Sequence, residues 1–136
     1  VGDSIATAIL TDALVDFDYD VVALMKKDSI EMTEADRATI RSHIENNPST
    51  HFIITHGTDT MAETAQALEG IAGKTIVLTG ALTPARFRTT DAVFNIGMAV
   101  AAVQTAKSGV YIAMSGQVFE ASRVRKNRKE NRFEAI

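Results

Sequence analysis

Cysteine is absent from this chain, which excludes disulfide cross-links, thiolate nucleophiles and thiolate metal sites. Tryptophan is absent too, and the two tyrosines and six phenylalanines are scattered, so nothing offers a platform for stacking bases. With only two prolines in 136 residues there is no linker, and no low-complexity tract or internal repeat is visible. Long apolar runs are missing as well. Residues 96–103 (IGMAVAAV) fall well short of the ~20 residues that a spanning helix needs, so no membrane partner is expected. Nothing at the start has the pattern of a secretory signal, and the expected location is cytoplasmic. Basic charge is not in excess either. The net charge is −3, with 46% hydrophobic and 23% charged residues, an ordinary globular balance that argues against a nucleic-acid partner. His43, His51 and His56 lack the paired spacing of metal ligands, so no metal or other cofactor is expected.

What the chain does contain is an alternation of two periods. Three continuously apolar runs, HFIIT (51–55), KTIVLT (74–79) and GVYIAMS (109–115), follow an earlier one, DVVALM (20–25). Runs that are apolar on both faces suit a parallel sheet covered by helices, and they predict strands near 21–25, 51–55, 75–79 and 110–114. Between them lie helical spacings: Ile5, Ile9 and Leu10 within 3–14, Ile40 and Ile44 within 33–46, and Met61, Ala65 and Leu68 within 60–69. The segment 91–107 is apolar nearly all round and is expected to be the most buried helix. Thr60-x-x-Glu63 has the form of a capping box, Gly70 closes that helix, and Asp91 is placed to cap the buried one. Together these features predict one domain over residues 1–136. Its fold class is α/β: three α/β/α layers around a mainly parallel, Rossmann- or flavodoxin-like sheet.

Three strand ends carry a hydroxyl followed closely by glycine: Thr55-His56-Gly57, Thr79-Gly80 and Ser115-Gly116. Glycine there lets backbone approach a ligand, and open α/β sheets bind ligands beyond the carboxyl ends of their strands. At the first of these ends, ITHGTDTMAETA (54–65) sets a histidine, a glycine, two threonines and an aspartate directly ahead of a helix. The N–H groups at that helix start favour an anion such as a substrate carboxylate. The same dipole keeps Asp59 ionised and able to hold an ammonium group. Thr58 offers a hydroxyl that binds substrate or, once deprotonated by a base, attacks a carbonyl; a lysine shielded from water is a workable base. These residues equally make an ordinary helix cap, and short motifs of this kind arise by chance. Thr60 alone suffices as that cap, which leaves Thr58 and Asp59 without a structural explanation. His56 reads as a structural hydrogen-bonder beside the turn, and His43 as part of a solvated helix face.

THGTDTM followed by TIVLTGALTPARFRTTDAVFN resembles the L-asparaginase family of asparaginases and glutaminase-asparaginases. KKDSIEMTEADR (26–37) is similar to the family's substrate-binding serine loop, and SRVRKNR (122–128) to the segment carrying its catalytic lysine. The matches are collinear and cover essentially the whole chain. The resemblance implies a catalytic triad of Thr58, Lys126 and Asp59, in which the lysine activates the threonine nucleophile. It further implies that Ser29 binds the substrate's α-carboxylate, that Asp59 also holds its α-ammonium, and that the backbone at Gly57 and Ala81 lines the pocket. Some family features have no counterpart. The first family threonine, with its glycine-rich turn and lid loop, is not matched, and neither is the smaller C-terminal domain that completes a neighbouring protomer's site. Ile30 follows Ser29 where many members carry a polar side chain.

Two functions from different classes follow from the resemblance. One is an amidohydrolase that releases ammonia from the side-chain amide of asparagine or a related small amide. The other is a non-catalytic asparaginase-like domain that binds a small amino acid or a protein partner. A homodimer or larger homo-oligomer is expected in either case, because a helix apolar nearly all round leaves a patch to cover. The run RVRKNRKENR (123–132) holds six of the fourteen Lys and Arg residues. It is read as a solvated loop or helix with one functional lysine, in preference to a phosphate-backbone site. TPARFRTTDA (83–92) is read as a loop, and THGTDT lacks the spacing of a phosphate-binding loop.

Overall fold

A computed structural model describes residues 6–83 and 90–136. The elements run α1 (Ala6–Asp12), α2 (Glu34–Glu45), β1 (His51–Thr55), α3 (Met61–Ala67), β2 (Thr75–Thr79), α4 (Ala92–Thr105), β3 (Gly109–Met114), β4 (Gln117–Glu120), β5 (Val124–Asn127) and β6 (Arg132–Ala135), with short 3-10 turns at Ser29–Glu31 and Ala121–Arg123. One sheet has the order β1-β2-β3-β4, in which β1, β2 and β3 are parallel and β4 returns antiparallel at the edge. β5 and β6 form a separate antiparallel hairpin.

The three layers follow from side chains alternating across each strand. Ile76 and Leu78 of β2, with Ile112 and Met114 of β3, turn towards α2 and α3 and meet Ile40, Ile44, Met61 and Leu68. Val77 and Ala113 turn the other way, towards Ala99, Ala102 and Val103 of α4. A continuous apolar run thus serves two cores at once. β2, in the middle, is buried along its whole length. β1 reads much the same in sequence but lies at the sheet edge, where exposed and half-buried residues alternate and Ile53 keeps 37% of its surface exposed.

Several expectations give way here. DVVALM (20–25) is not a strand: these residues take no regular structure, and Val21 and Val22 are exposed. A strand exists through its ladder partner, and none pairs with this segment among the described residues; Leu24 and Met25 are satisfied by packing on the α2–α3 core instead. The capping box lies at Thr33 and Asp36 of α2, where side chain and backbone bond reciprocally. At the start of α3, Thr60 makes no side-chain cap; its hydroxyl donates to the Ser29 carbonyl (2.7 Å). Asp91 does not cap α4 with its side chain either. Its carboxylate accepts from the backbone N–H groups of Leu82 and Thr83, both at 3.0 Å, and from Asn95 Nδ2 at 2.8 Å, so it fastens the loop after β2.

α3 ends at Ala67 with Leu68, not Gly70, as its C-cap; Gly70 follows in the turn with φ +86, and Arg41 donates to the carbonyls of Ala67 and Glu69. α4 buries six residues, more than any other described helix, but its apolar circumference is not fully enclosed, since Val93 and Phe94 are 60% and 62% exposed. The basic run, read as a loop or helix, spans the β5–β6 hairpin, with a loop only at residues 128–131 and Lys126 on strand β5. The beginning of the 3–14 helix and most of TPARFRTTDA lie outside the described residues. No helix among the described residues is long and apolar enough to cross a membrane.

Candidate active site

The corner after β1 is set by three close approaches. His56 N–H donates to the Thr79 carbonyl (2.9 Å), which prolongs the β1–β2 ladder by one residue. A Cβ on Gly80 would overlap the His56 carbonyl oxygen, so the neighbouring strand end needs glycine there for steric room. A Cβ on Gly57 would stand 2.8 Å from Ser29 Oγ and 2.9 Å from Ser29 Cβ, so the Ser29 turn sits directly against the Gly57 backbone. Ser29 is 1% exposed, and its hydroxyl has no hydrogen-bond partner among the described residues.

Onto this corner the β5–β6 hairpin brings the lysine. Strand alternation puts Val124, Lys126 and Phe133 on the inner face, where Val124 and Phe133 join the main core. Arg125 and Glu134 face outward and pair at 2.7 Å. Lys126 Nζ donates to Thr58 Oγ1 (2.8 Å) and to Asp59 Oδ1 (3.0 Å), across 68 and 67 residues of chain. Its side chain is 14% exposed, so the amine is largely screened from water. Arg128 adds a bond from Nη2 to the Asp59 carbonyl (3.0 Å) and stands 3.7 Å from the Asp59 carboxylate. Asp59's carboxyl is held below its ordinary value, first by the Lys126 hydrogen bond and then by the charges of Lys126 and Arg128, with burial opposing. A cleft of about 240 Å³ opens over these groups, lined also by Glu63 and Gln66 of α3 and by Arg125.

The structure therefore brings Thr58, Asp59 and Lys126 into mutual contact. Ser29 and Gly57 lie together, outside the residues that line this cleft. Ala81 is half-buried in the loop after β2 and is not among the lining residues either. Ser115-Gly116, the third hydroxyl–glycine pair, is no ligand-facing end: both residues have positive φ, +54 and +73, and form the two-residue turn between β3 and β4. Ser115 Oγ accepts from Phe133 N–H (2.9 Å), which ties that turn to the hairpin.

Behind the corner His56 is the hydrogen-bonder expected beside the turn, and its partners Arg37 and Thr64 were not foreseen. Arg37 of α2 is 7% exposed and donates from Nε to Thr64 Oγ1 (3.0 Å), Thr64 Oγ1 meets His56 Nε2 (2.8 Å), and His56 Nδ1 meets the Gly57 carbonyl (2.6 Å). Burial pushes His56 below its ordinary value, Arg37's charge adds to this, and the Gly57 bond opposes it. An arginine on the buried face of an otherwise amphipathic helix was the available signal. Arg128 was hidden by the abundance of basic residues around it.

Comparison with known proteins adds a family. The family model described as asparaginase, N-terminal, matches residues 3–136. The chain is 42% identical over 80 residues to the probable periplasmic L-asparaginase of Haemophilus influenzae, covering 55% of this chain and 23% of that protein. It is 38% identical over 80 residues to L-asparaginase 2 of Escherichia coli, with the same shares. It is 40% identical over 81 residues to a component of the glutamyl-tRNA(Gln) amidotransferase of Methanococcus vannielii, covering 58% of this chain and 19% of that protein. The aligned stretch is less than a quarter of each relative.

Proposed function

The chain belongs to the asparaginase family, in the part described as its N-terminal domain, and from that premise we propose that it acts as an amidohydrolase on asparagine or a related small amide. The observation that carries this reading is the bond of Lys126 Nζ to Thr58 Oγ1 at 2.8 Å. In the proposed reaction, Lys126 takes the Thr58 proton as Oγ1 attacks the amide carbon. The C–N bond then breaks, the proton passes to the leaving nitrogen, and ammonia departs. Water attacks the Thr58 ester, giving its proton back through Lys126, and acid and free threonine result. Asp59 orients the lysine and is the residue proposed to hold the substrate's ammonium. Ser29 supports a carboxylate-binding role only through its buried, unpartnered hydroxyl. Ammonia release from asparagine, glutamine and simple amides tests the proposal, which fails if none is released.

One observation favours the second reading, a domain that binds an amino acid without turning it over. Lys126 and Arg128 already attend Asp59, so a substrate ammonium must compete with both. Calorimetric titration with asparagine and aspartate separates the readings, because binding without ammonia release selects the second.

Self-association is proposed as well. Val93 and Phe94 of α4 are apolar and exposed, and a second copy of the chain is the occupant we assign to them. Light scattering at micromolar concentration is expected to exceed the 14.7 kDa of one chain, and Phe94→Ser to lower it; a monomer in both cases removes the proposal.

A further inference from the structure

Behind the candidate nucleophile a chain of polar groups runs from buried Arg37 and Thr64 to half-buried His56 and the exposed Gly57 carbonyl, and its hydrogen-bond directions follow from its two ends. A guanidinium can only donate, so Thr64 Oγ1 accepts from Arg37 Nε, and the threonine's own hydrogen remains to be given away. Thr64 is fully buried, and its hydroxyl's other partner among the described residues is His56 Nε2 at 2.8 Å. Nε2 must therefore accept, and it carries no proton. In a neutral ring the proton then sits on Nδ1 and is donated to the Gly57 carbonyl, which can only accept. An imidazolium would present a second donor to Thr64 Oγ1 and leave the hydroxyl hydrogen without an acceptor among the described residues. Two charged groups face the ring from the packed elements, Arg37 from α2 and Glu63 from α3.

We infer that Arg37, Thr64 and His56 form a one-way relay that locks the His56 tautomer and thereby positions the Gly57–Thr58 peptide, which makes all three positioning residues for Thr58. The Gly57 carbonyl belongs to the planar peptide that carries the Thr58 nitrogen, so fixing its oxygen fixes the plane from which Thr58 departs. The turn is then held from three sides: Ser29 against the Gly57 backbone, His56 on the Gly57 carbonyl, and Lys126 on the Thr58 hydroxyl. An effect on turnover rests on the proposed role of Thr58; the lock itself does not.

Thr64→Val keeps the shape of the side chain and removes both of its bonds, and Thr64→Ser restores the hydroxyl. Nitrogen-15 NMR of the imidazole is expected to show wild-type His56 protonated at Nδ1 alone. In Thr64→Val both tautomers should appear, with faster hydrogen exchange at the Gly57 and Thr58 amides, and Thr64→Ser should return both readouts. With an amide substrate, Thr64→Val should lower kcat by roughly 10–100-fold and leave KM within about twofold, because the loss is of alignment and not of binding. Protonated Nε2 in the wild type, or an unchanged tautomer and unchanged amide exchange in Thr64→Val, overturns the relay. Absence of turnover in the wild type counts against the amidohydrolase reading alone, and the NMR results still decide the relay.

Discussion

Two corners of the molecule are written in nearly the same letters and put to different uses. Thr55-His56-Gly57 and Ser115-Gly116 each follow a parallel strand with a hydroxyl and a glycine. At Gly57 glycine provides steric room, because Ser29 occupies the place where a Cβ would stand. At Gly116 it provides a left-handed φ of +73, and no atom stands closer than 4.0 Å to a Cβ there. The first corner runs on into a helix and has a hairpin lysine laid across it; the second turns straight back into β4. What separates a candidate site from a turn is thus the element that crosses it, and that element lies 68 residues away in sequence.

Removing the hydroxyl from each corner sharpens this contrast most. Thr58→Val should reduce ammonia release by at least about a thousandfold, with the fold intact by circular dichroism. Lys126→Met should do the same, and the double variant should be no worse than either single one, because the pair acts as one unit. Ser115→Ala should leave turnover unchanged. Equal losses at Thr58 and Ser115 would erase the distinction between the corners.

Added methyl groups come next. Gly57→Ala drives a Cβ against Ser29 and should cost about 1–3 kcal/mol in urea unfolding, as overpacking does. Ser29→Gly in the same chain removes both side-chain atoms in the way and should recover part of the loss, a non-additive result that identifies the clash. Gly116→Ala meets only the conformational penalty of positive φ, about 1 kcal/mol, and no change at Ser29 should relieve it. Ser115→Ala, which strands the Phe133 N–H, should cost about 1 kcal/mol or less.

The fold was legible because its signals are local. HFIIT, KTIVLT and GVYIAMS are strands, and the helices between them lie where Ile40 and Ile44, Met61 and Leu68, and the apolar 91–107 segment put them. Thr58, Asp59 and Lys126 were legible through the family resemblance, and their mutual contact is a feature of the structure. DVVALM misled because an apolar run states that burial is wanted and not that a ladder partner is present. Thr60 and Asp91 misled because a cap is read from the adjacent turn, while their hydrogen bonds go to Ser29 and to Leu82 and Thr83. Of the Arg37–Thr64–His56 relay only the hydrogen-bonding role of His56 was read, since its partners come from α2 and α3 through side chains that have no common spacing.

The smallest expected effect concerns charge, which also divides the corners. Asp59's carboxyl lies below its ordinary value of 3.8, chiefly through the Lys126 hydrogen bond. Because the folded-state value is the lower one, ionised Asp59 stabilises the fold at pH above the unfolded carboxyl's value, and this contribution is lost as pH falls through the folded-state value. The side chain is 35% exposed, so solvent screening keeps the contribution well below about 1 kcal/mol. Urea midpoints of wild type and Asp59→Asn should therefore differ most near neutral pH and converge towards pH 3. The Ser115 corner has no titratable side chain in its turn, so the gap between wild type and Ser115→Ala should stay constant over the same range. A pH-independent gap for Asp59→Asn would mean that its bond to Lys126 contributes nothing to the folded state, and that Thr58 alone holds the lysine at the corner.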